Sequence, residues 1–161
     1  MRFLGIDYGT KRIGVAISDE RAMFAFPKEI VLNNINTFKR LGEILKEENI
    51  SEIVVGESVD FSGKLNALSA RIEIFIKELE DKFSAKGGPA SGGKLSIHKQ
   101  KEFLTSVEAR RFKNEKKKLS PSQAHNKVKQ KKSGHIDASA AALILQRYLD
   151  KKNSDIKKNI V

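Results

Sequence analysis

Three acidic residues stand where the neighbouring residue types give a carboxylate chemistry to do. Asp7 stands next to last in the largely apolar run RFLGIDY, where an unpaired carboxylate would be costly to bury. On a strand its same-side neighbour is Gly5, and the following segment offers Gly14 and Ala16. Small residues there admit a metal ion, a phosphate backbone or a closely packed helix; a cap on the next turn explains Asp7 equally well. Asp137 stands at the head of HIDASAAALILQRYL. It reads as an ordinary helix N-cap, or as the start of a helix with Ala140, Ala141 and Ile144 in line with it. If that alanine face packs over Gly5, Asp137 is carried toward Asp7 at the carboxyl edge of a central strand. Glu102 lies between a short strand and a capped helix, in a lysine-rich stretch where an acid reads more readily as a surface charge. Glu57 and Asp60, in VVGESVDFSG, are weaker alternatives at the same edge.

Acids gathered from separate elements repel one another. At about 4 Å each ionised pair costs roughly 1 kcal/mol in water and about 4 at an effective dielectric of 20. Divalent cations cancel that cost, and carboxylates are the hard oxygen ligands that Mg²⁺ or Mn²⁺ prefer. Two such ions activate a water and stabilise the leaving oxygen of a phosphodiester. The charge distribution points the same way. Of the net +11, the segment Arg110–Lys132 carries +9, with ten Lys or Arg against Glu115. It reads either as a solvated loop or as an arm that orders on phosphates. Acids and basic arm together point to metal-dependent hydrolysis of nucleic acid, although spacing alone does not make the acids converge.

The elements that must position them follow from periodicity. Arg2–Tyr8 and Ile13–Ser18 read as strands joined by a tight Gly9-Thr10-Lys11 link, hence an antiparallel hairpin. Phe3, Gly5 and Asp7 share one side of the first strand; Leu4, Ile6 and Tyr8 share the other. Both sides are substantially apolar, which places this strand mid-sheet. A third strand is expected over Lys28–Leu32, entered after Pro27. Phe38, Leu41, Ile44 and Leu45 mark a helix reaching Asn49. Ile53–Gly56 reads as a buried parallel strand, and a helix from about Gly63 buries Leu68, Ile72, Phe75, Ile76 and Leu79. Leu95–Lys101 is a fifth strand, Thr105–Glu108 a capping box, and Ile136–Leu149 the last helix. These readings make one α/β domain over residues 1–150, with a flexible Gly-rich connector at 85–94, a basic loop at 113–133 and a polar, frayed tail at 151–161.

Composition removes other classes. The 161-residue chain has room for one domain. Without cysteine it has no disulfides, thiol catalysis or cysteine-ligated metal. Its most apolar stretch, Ala138–Leu145, is far too short to span a membrane, and MRFLGIDYGT lacks a signal-peptide layout, so a cytoplasmic protein is expected. GPASGGKL nearly spells a phosphate-binding P-loop but has Leu95 where Ser or Thr should follow Lys94, and it leaves a helix to enter a strand. The histidines at 98, 125 and 135 have no metal-type spacing, and no Ser-His-Asp arrangement is discernible. With no Trp and only 7% aromatics, base stacking is a poor route to binding. Phosphate contact with strongly salt-dependent affinity is expected instead.

At these residues the chain resembles a known family. LGIDYGTKRIGVAISD is similar to the opening motif of the YqgF/RuvX family of Holliday junction resolvase-like nucleases. IVVG at Ile53–Gly56 with Gly63, EFLTSVEA at Glu102–Ala109 and HIDASAAALILQRYL resemble its later blocks, in order and over nearly the whole chain. GIDYGT also resembles the phosphate loop of actin-like and sugar-kinase ATPases, but those close two such domains around ATP. The resemblance implies an RNase H-like fold: a five-stranded mixed sheet, antiparallel in its hairpin strands and parallel in its crossover strands, flanked by helices. It implies that Asp7, Glu102 and Asp137 form the catalytic acids and hold two Mg²⁺ or Mn²⁺ ions. It implies maturation of the 5′ end of precursor 16S rRNA as the function. Holliday junction resolution and non-catalytic nucleic-acid binding are the alternatives. Lys11, Arg12, Arg110, Arg111, Lys116, Lys117, Lys118, Lys129, Lys131 and Lys132 are the expected contacts to structured RNA or branched DNA. No membrane partner is expected, and the chain acts as a monomer or homodimer. Two blocks depart from the family pattern. Lys101-Glu102-Phe103 stands where Asp-Glu-Arg is usual, and Glu57-Ser58 where Leu-Pro is usual.

Overall fold

A computed structural model describes residues 2–58, 67–83, 95–102 and 132–158. Among the described residues eight elements follow one another: β1 (Arg2–Tyr8), β2 (Arg12–Ser18), β3 (Ala25–Leu32), α1 (Thr37–Glu47), β4 (Ile50–Ser58), α2 (Ala67–Phe83), β5 (Ser96–Glu102) and α3 (Lys132–Lys158). The strands form one sheet in the order β3-β2-β1-β4-β5. β1 pairs antiparallel with β2, and β2 with β3; β1–β4 and β4–β5 are parallel. This is the mixed RNase H-like arrangement that the motifs imply, with β1 central because both its sides are apolar.

The two sides are built differently. Leu4, Ile6, Ile13 and Val15 face α1 and α2 in a core of large side chains, among them Leu41, Ile44, Ile72, Phe75 and Leu79. The other side is thinner: Phe3, Ala16 and Val54 meet Ala141, Ile144, Leu145 and Leu149 of α3. The helical stripe expected on α2 is buried at Ile72, Phe75, Ile76 and Leu79. Just past the C-cap of α1, Glu48, stands Asn49 with φ 52°, a left-handed conformation that asparagine tolerates beyond a helix end.

Several boundaries differ from the sequence reading. β3 begins at Ala25 and runs through Pro27 rather than starting after it. It is an edge strand, where a missing N–H is tolerated, and pairing shifts register between Val15 and Ala16. β4 starts at Ile50, three residues earlier than its apolar run. α3 outruns its apolar pattern at both ends, and residues 151–158, expected as a frayed tail, are helical. Polar anchors explain this: Lys152 reaches both Glu52 carboxylate oxygens at 3.2 and 3.3 Å, and Asn153 Nδ2 donates to the Ala22 carbonyl at 3.0 Å. The Gly-rich connector, the capping box at Thr105–Glu108 and Asp60 lie outside the described residues.

Candidate active site

Asp7 is half-buried near the carboxyl end of β1, opposite Gly14. Tight local geometry fixes that end. A Cβ on Gly9 would lie 2.5 Å from the Arg12 carbonyl oxygen, so the turn after Asp7 closes only on glycine. Asn33 then ties the turn to the chain beyond β3. Its side-chain amide donates to the Gly9 carbonyl at 2.9 Å and its backbone N–H to the Lys11 carbonyl at 3.0 Å. Asn33 was not singled out by the sequence reading; the Asn33-Asn34 pair straight after a strand is the only signal that pointed to it.

Gly5 sets how close α3 comes. A Cβ there would meet Leu145 Cβ at 2.7 Å and the Ala141 carbonyl oxygen at 2.9 Å. The alanine face therefore packs on Gly5, which meets the condition for the Asp137 end to be carried toward Asp7. Direction follows from contacts farther along: the Tyr148 ring meets Phe3 with centroids 5.9 Å apart, while Ala141 lies over Gly5. α3 thus runs opposite to β1. From Ala141 back to Asp137 is about 6 Å of helix, and from Gly5 on to Asp7 is about 7 Å of strand; both lead toward the same edge of the sheet. Glu102 is the last residue of β5 and pairs with Ser58. Counting alternation through Val54, which pairs with Gly5, residue 102 takes the same register side as Asp7, two strands away.

The alternation sorts the other candidates. Glu57 pairs with Lys101, and both fall on the opposite alternation, that of Val55 and Ile97, which belong to the α1–α2 core. Glu57 is therefore not in line with Asp7, and the unusual Lys101 does not share the register side of Glu102. Of the expected phosphate contacts, Lys11 and Arg12 are exposed in the turn and at the start of β2. Lys132 is the first residue of α3. Arg110, Arg111, Lys116, Lys117, Lys118, Lys129 and Lys131 lie outside the described residues. So do the side chains of Glu102 and Asp137; among the described residues no three His, Cys, Asp or Glu are grouped to hold a metal.

The donor set nonetheless suits a hard divalent ion. All three candidates are carboxylates, the oxygen donors such an ion prefers, and the pairing partner of Asp7 is Gly14, which carries no side chain. His98 belongs elsewhere. At the opposite end of the α3-covered side, its Nε2 lies 2.6 Å from Glu52 Oε2, and Lys152 Nζ stands 4.6 Å from the Phe3 ring centroid. Burial, helped by the Glu52 charge, pushes the Tyr148 phenol above its ordinary pKa. This polar cluster anchors the far end of α3. Among the described residues no helix is long and apolar enough to cross a membrane.

Comparison with known proteins adds an independent line. A family model described as RuvX, Holliday junction resolvase, matches residues 1–151. The chain is 38% identical over 154 residues to a protein of Ruminiclostridium cellulolyticum named "Putative pre-16S rRNA nuclease", covering 94% of this chain and 95% of that one. It is also 38% identical over 159 residues to an Oenococcus oeni protein of the same name, covering 94% and 96%. Among solved structures, a Fowlpox virus resolvase bound to Holliday junction DNA is similar over 94% of this chain and 98% of that one, at 14% identity and a TM-score of 0.49. With the motif order, the strand order and a match over nearly its full length, the chain belongs to the RuvX (YqgF) family of nucleases.

Proposed function

We propose that this protein is a metal-dependent nuclease that hydrolyses phosphodiester bonds of structured RNA in maturing the 5′ end of precursor 16S rRNA in the cytoplasm. One observation carries the reading: α3 crosses Gly5 at contact distance while running opposite to β1, so its N-terminal half approaches the edge where Asp7 stands. Asp7, Glu102 and Asp137 are the residues that would hold Mg²⁺ or Mn²⁺. Bound there, such ions supply charge neutralisation and a more acidic water. The chain does the positioning. Gly9 and Asn33 hold the Asp7 end of β1 rigid, while Lys11, Arg12 and the basic segment Arg110–Lys132 hold the phosphate backbone and neutralise it. Hydrolysis joins the water oxygen to phosphorus, breaks the bond to the leaving oxygen and returns a proton to that oxygen. The family model's own description supports branched DNA as a second substrate.

The test is cleavage of a precursor 16S 5′-leader RNA and of a four-way DNA junction, with Mg²⁺ and with Mn²⁺. Asp7→Asn is expected to lower the rate at least about 100-fold, on the scale of losing a group that acts mainly in the transition state, with folding unchanged by circular dichroism. Equal rates for the two proteins would remove Asp7 from the chemistry. Binding without cleavage by the wild type under every condition would make the chain a non-catalytic member of its family.

A further inference from the structure

The most exposed large apolar side chain described is Ile35, at 96% of full exposure, in the short link between β3 and α1. Leu32, at the end of β3, is 61% exposed. The link that carries them is tightly bonded. The Thr37 hydroxyl meets the Leu32 carbonyl at 2.9 Å and the Asn34 carbonyl at 2.7 Å. It also lies 2.8 Å from the Asn34 N–H, and the Asn36 N–H donates to Asn34 Oδ1 at 2.9 Å. Asn33 joins this link to the Gly9 turn, two residues beyond Asp7. Leu32 pairs with Arg12, on the same sheet side as Asp7 and Gly14, and Lys11 and Arg12 are themselves exposed. A rigid apolar tip thus stands next to Lys11 and Arg12 and is tied to the turn that follows Asp7.

That combination has a recognisable use on nucleic acid. Cations take the phosphates, and an aliphatic side chain held on a stiff support enters a base step that is already weakly stacked. A flexible loop would lose the gain to ordering; this one is ordered in advance. We propose that the β3–α1 link is an apolar wedge, with Ile35 as its tip, that recognises the point where an RNA stem opens into a single-stranded flank. The choice of RNA rests on the function proposed above; the wedge itself rests on the exposure, the bonding and the neighbouring charge.

The experiment measures binding in EDTA, where no cleavage enters. Three probes carry 2-aminopurine at an equivalent position: an RNA stem with a single-stranded flank (label in the last pair), a blunt RNA duplex and a four-way DNA junction. Wild type is expected to raise the emission of the stem–flank RNA. Ile35→Asp should abolish that rise and weaken binding about tenfold, the scale set by burying one aliphatic side chain. Ile35→Leu should keep both, with its affinity for the blunt duplex changing less than about twofold. An unaltered rise with Ile35→Asp overturns the wedge. So does a shift in oligomeric state by light scattering, which would make the link a contact between copies. A rise on the DNA junction alone overturns the RNA assignment. An emission rise in a protein that never cleaves RNA when metal is supplied would refute the nuclease reading and leave the wedge standing.

Discussion

Two kinds of contact hold α3, and each is plainest at a different place along the helix. Its C-terminal half is fastened by directed bonds. Gln146 accepts from the Ala25 N–H at 2.8 Å and donates to the Met23 carbonyl at 2.9 Å, Asn153 donates to Ala22, and Lys152 meets Glu52. Toward the candidate site the helix also lays down contact surface, with Ala138, Ala141, Ile144 and Leu145 buried and Gly5 beneath them. The difference separates two jobs. Polar pairs fix where the helix lies and which way it runs, while the missing side chain at Gly5 fixes how near its acid-bearing end comes to the sheet.

Substitution at Gly5 should strike hardest. Gly5→Val places branched carbon against Leu145 Cβ and the Ala141 carbonyl, where neither can withdraw without moving the helix. A loss of about 3 kcal/mol is expected from overpacking, read by urea unfolding, with cleavage abolished even where the protein stays folded. Retained cleavage in a folded Gly5→Val protein would show that the helix distance does not matter to the site.

Glu52→Ala attacks the other end. It strips Lys152 and His98 of a carboxylate that is 9% exposed. Breaking a fully buried pair costs about 3–5 kcal/mol, but Lys152 and His98 keep about a third of their surface in water, so about 2 kcal/mol is expected. Cleavage at a permissive temperature should stay within about threefold of wild type, because loss of the anchor is felt in stability rather than in transition-state contacts. Equal damage to activity from both substitutions would erase the distinction between the ends.

The smallest effect concerns acid. The Lys28 ammonium, hydrogen-bonded to the Glu48 carboxylate at 2.5 Å, holds that carboxyl below its ordinary 4.5 against the opposing effect of burial, with Arg2 beside it adding to the shift. A carboxyl with a depressed folded pKa contributes stability above its unfolded value and loses it as pH falls through the folded one. Thermal melts of Glu48→Gln should therefore match the wild type more closely as the pH is lowered below about 4.5 and fall short of it above. Since Glu48 pairs with Arg2, at the other end of β1 from Asp7, cleavage at neutral pH should be unchanged.

Much of this was legible in the residues. The bounds of β1, the sharing of one side by Phe3, Gly5 and Asp7, and the fit of an alanine face to Gly5 are local patterns of period two or 3.6, and the structure has all three. The edges were less legible. Pro27 looks like a strand breaker until β3 is known to be outermost. Lys152 and Asn153 look like tail residues until Glu52 and Ala22 are brought to them by pairs 100 and 131 residues apart. A separation of 46 residues from Glu52 hid the role of His98, which the sequence shows only as a polar residue in a weak strand. The three acids are candidates by type and motif; the helix direction that leads the Asp137 end toward the edge of Asp7 is encoded by no local pattern.

Pro27 has one more effect. An outermost strand offers unpaired amides to any passing chain, and apolar Phe26, 52% exposed, makes this one adhesive. A residue that cannot donate, next to a slip in pairing opposite Val15 and Ala16, spoils the template on which a foreign strand would stack. The sheet can thus keep a greasy border without seeding aggregates of itself.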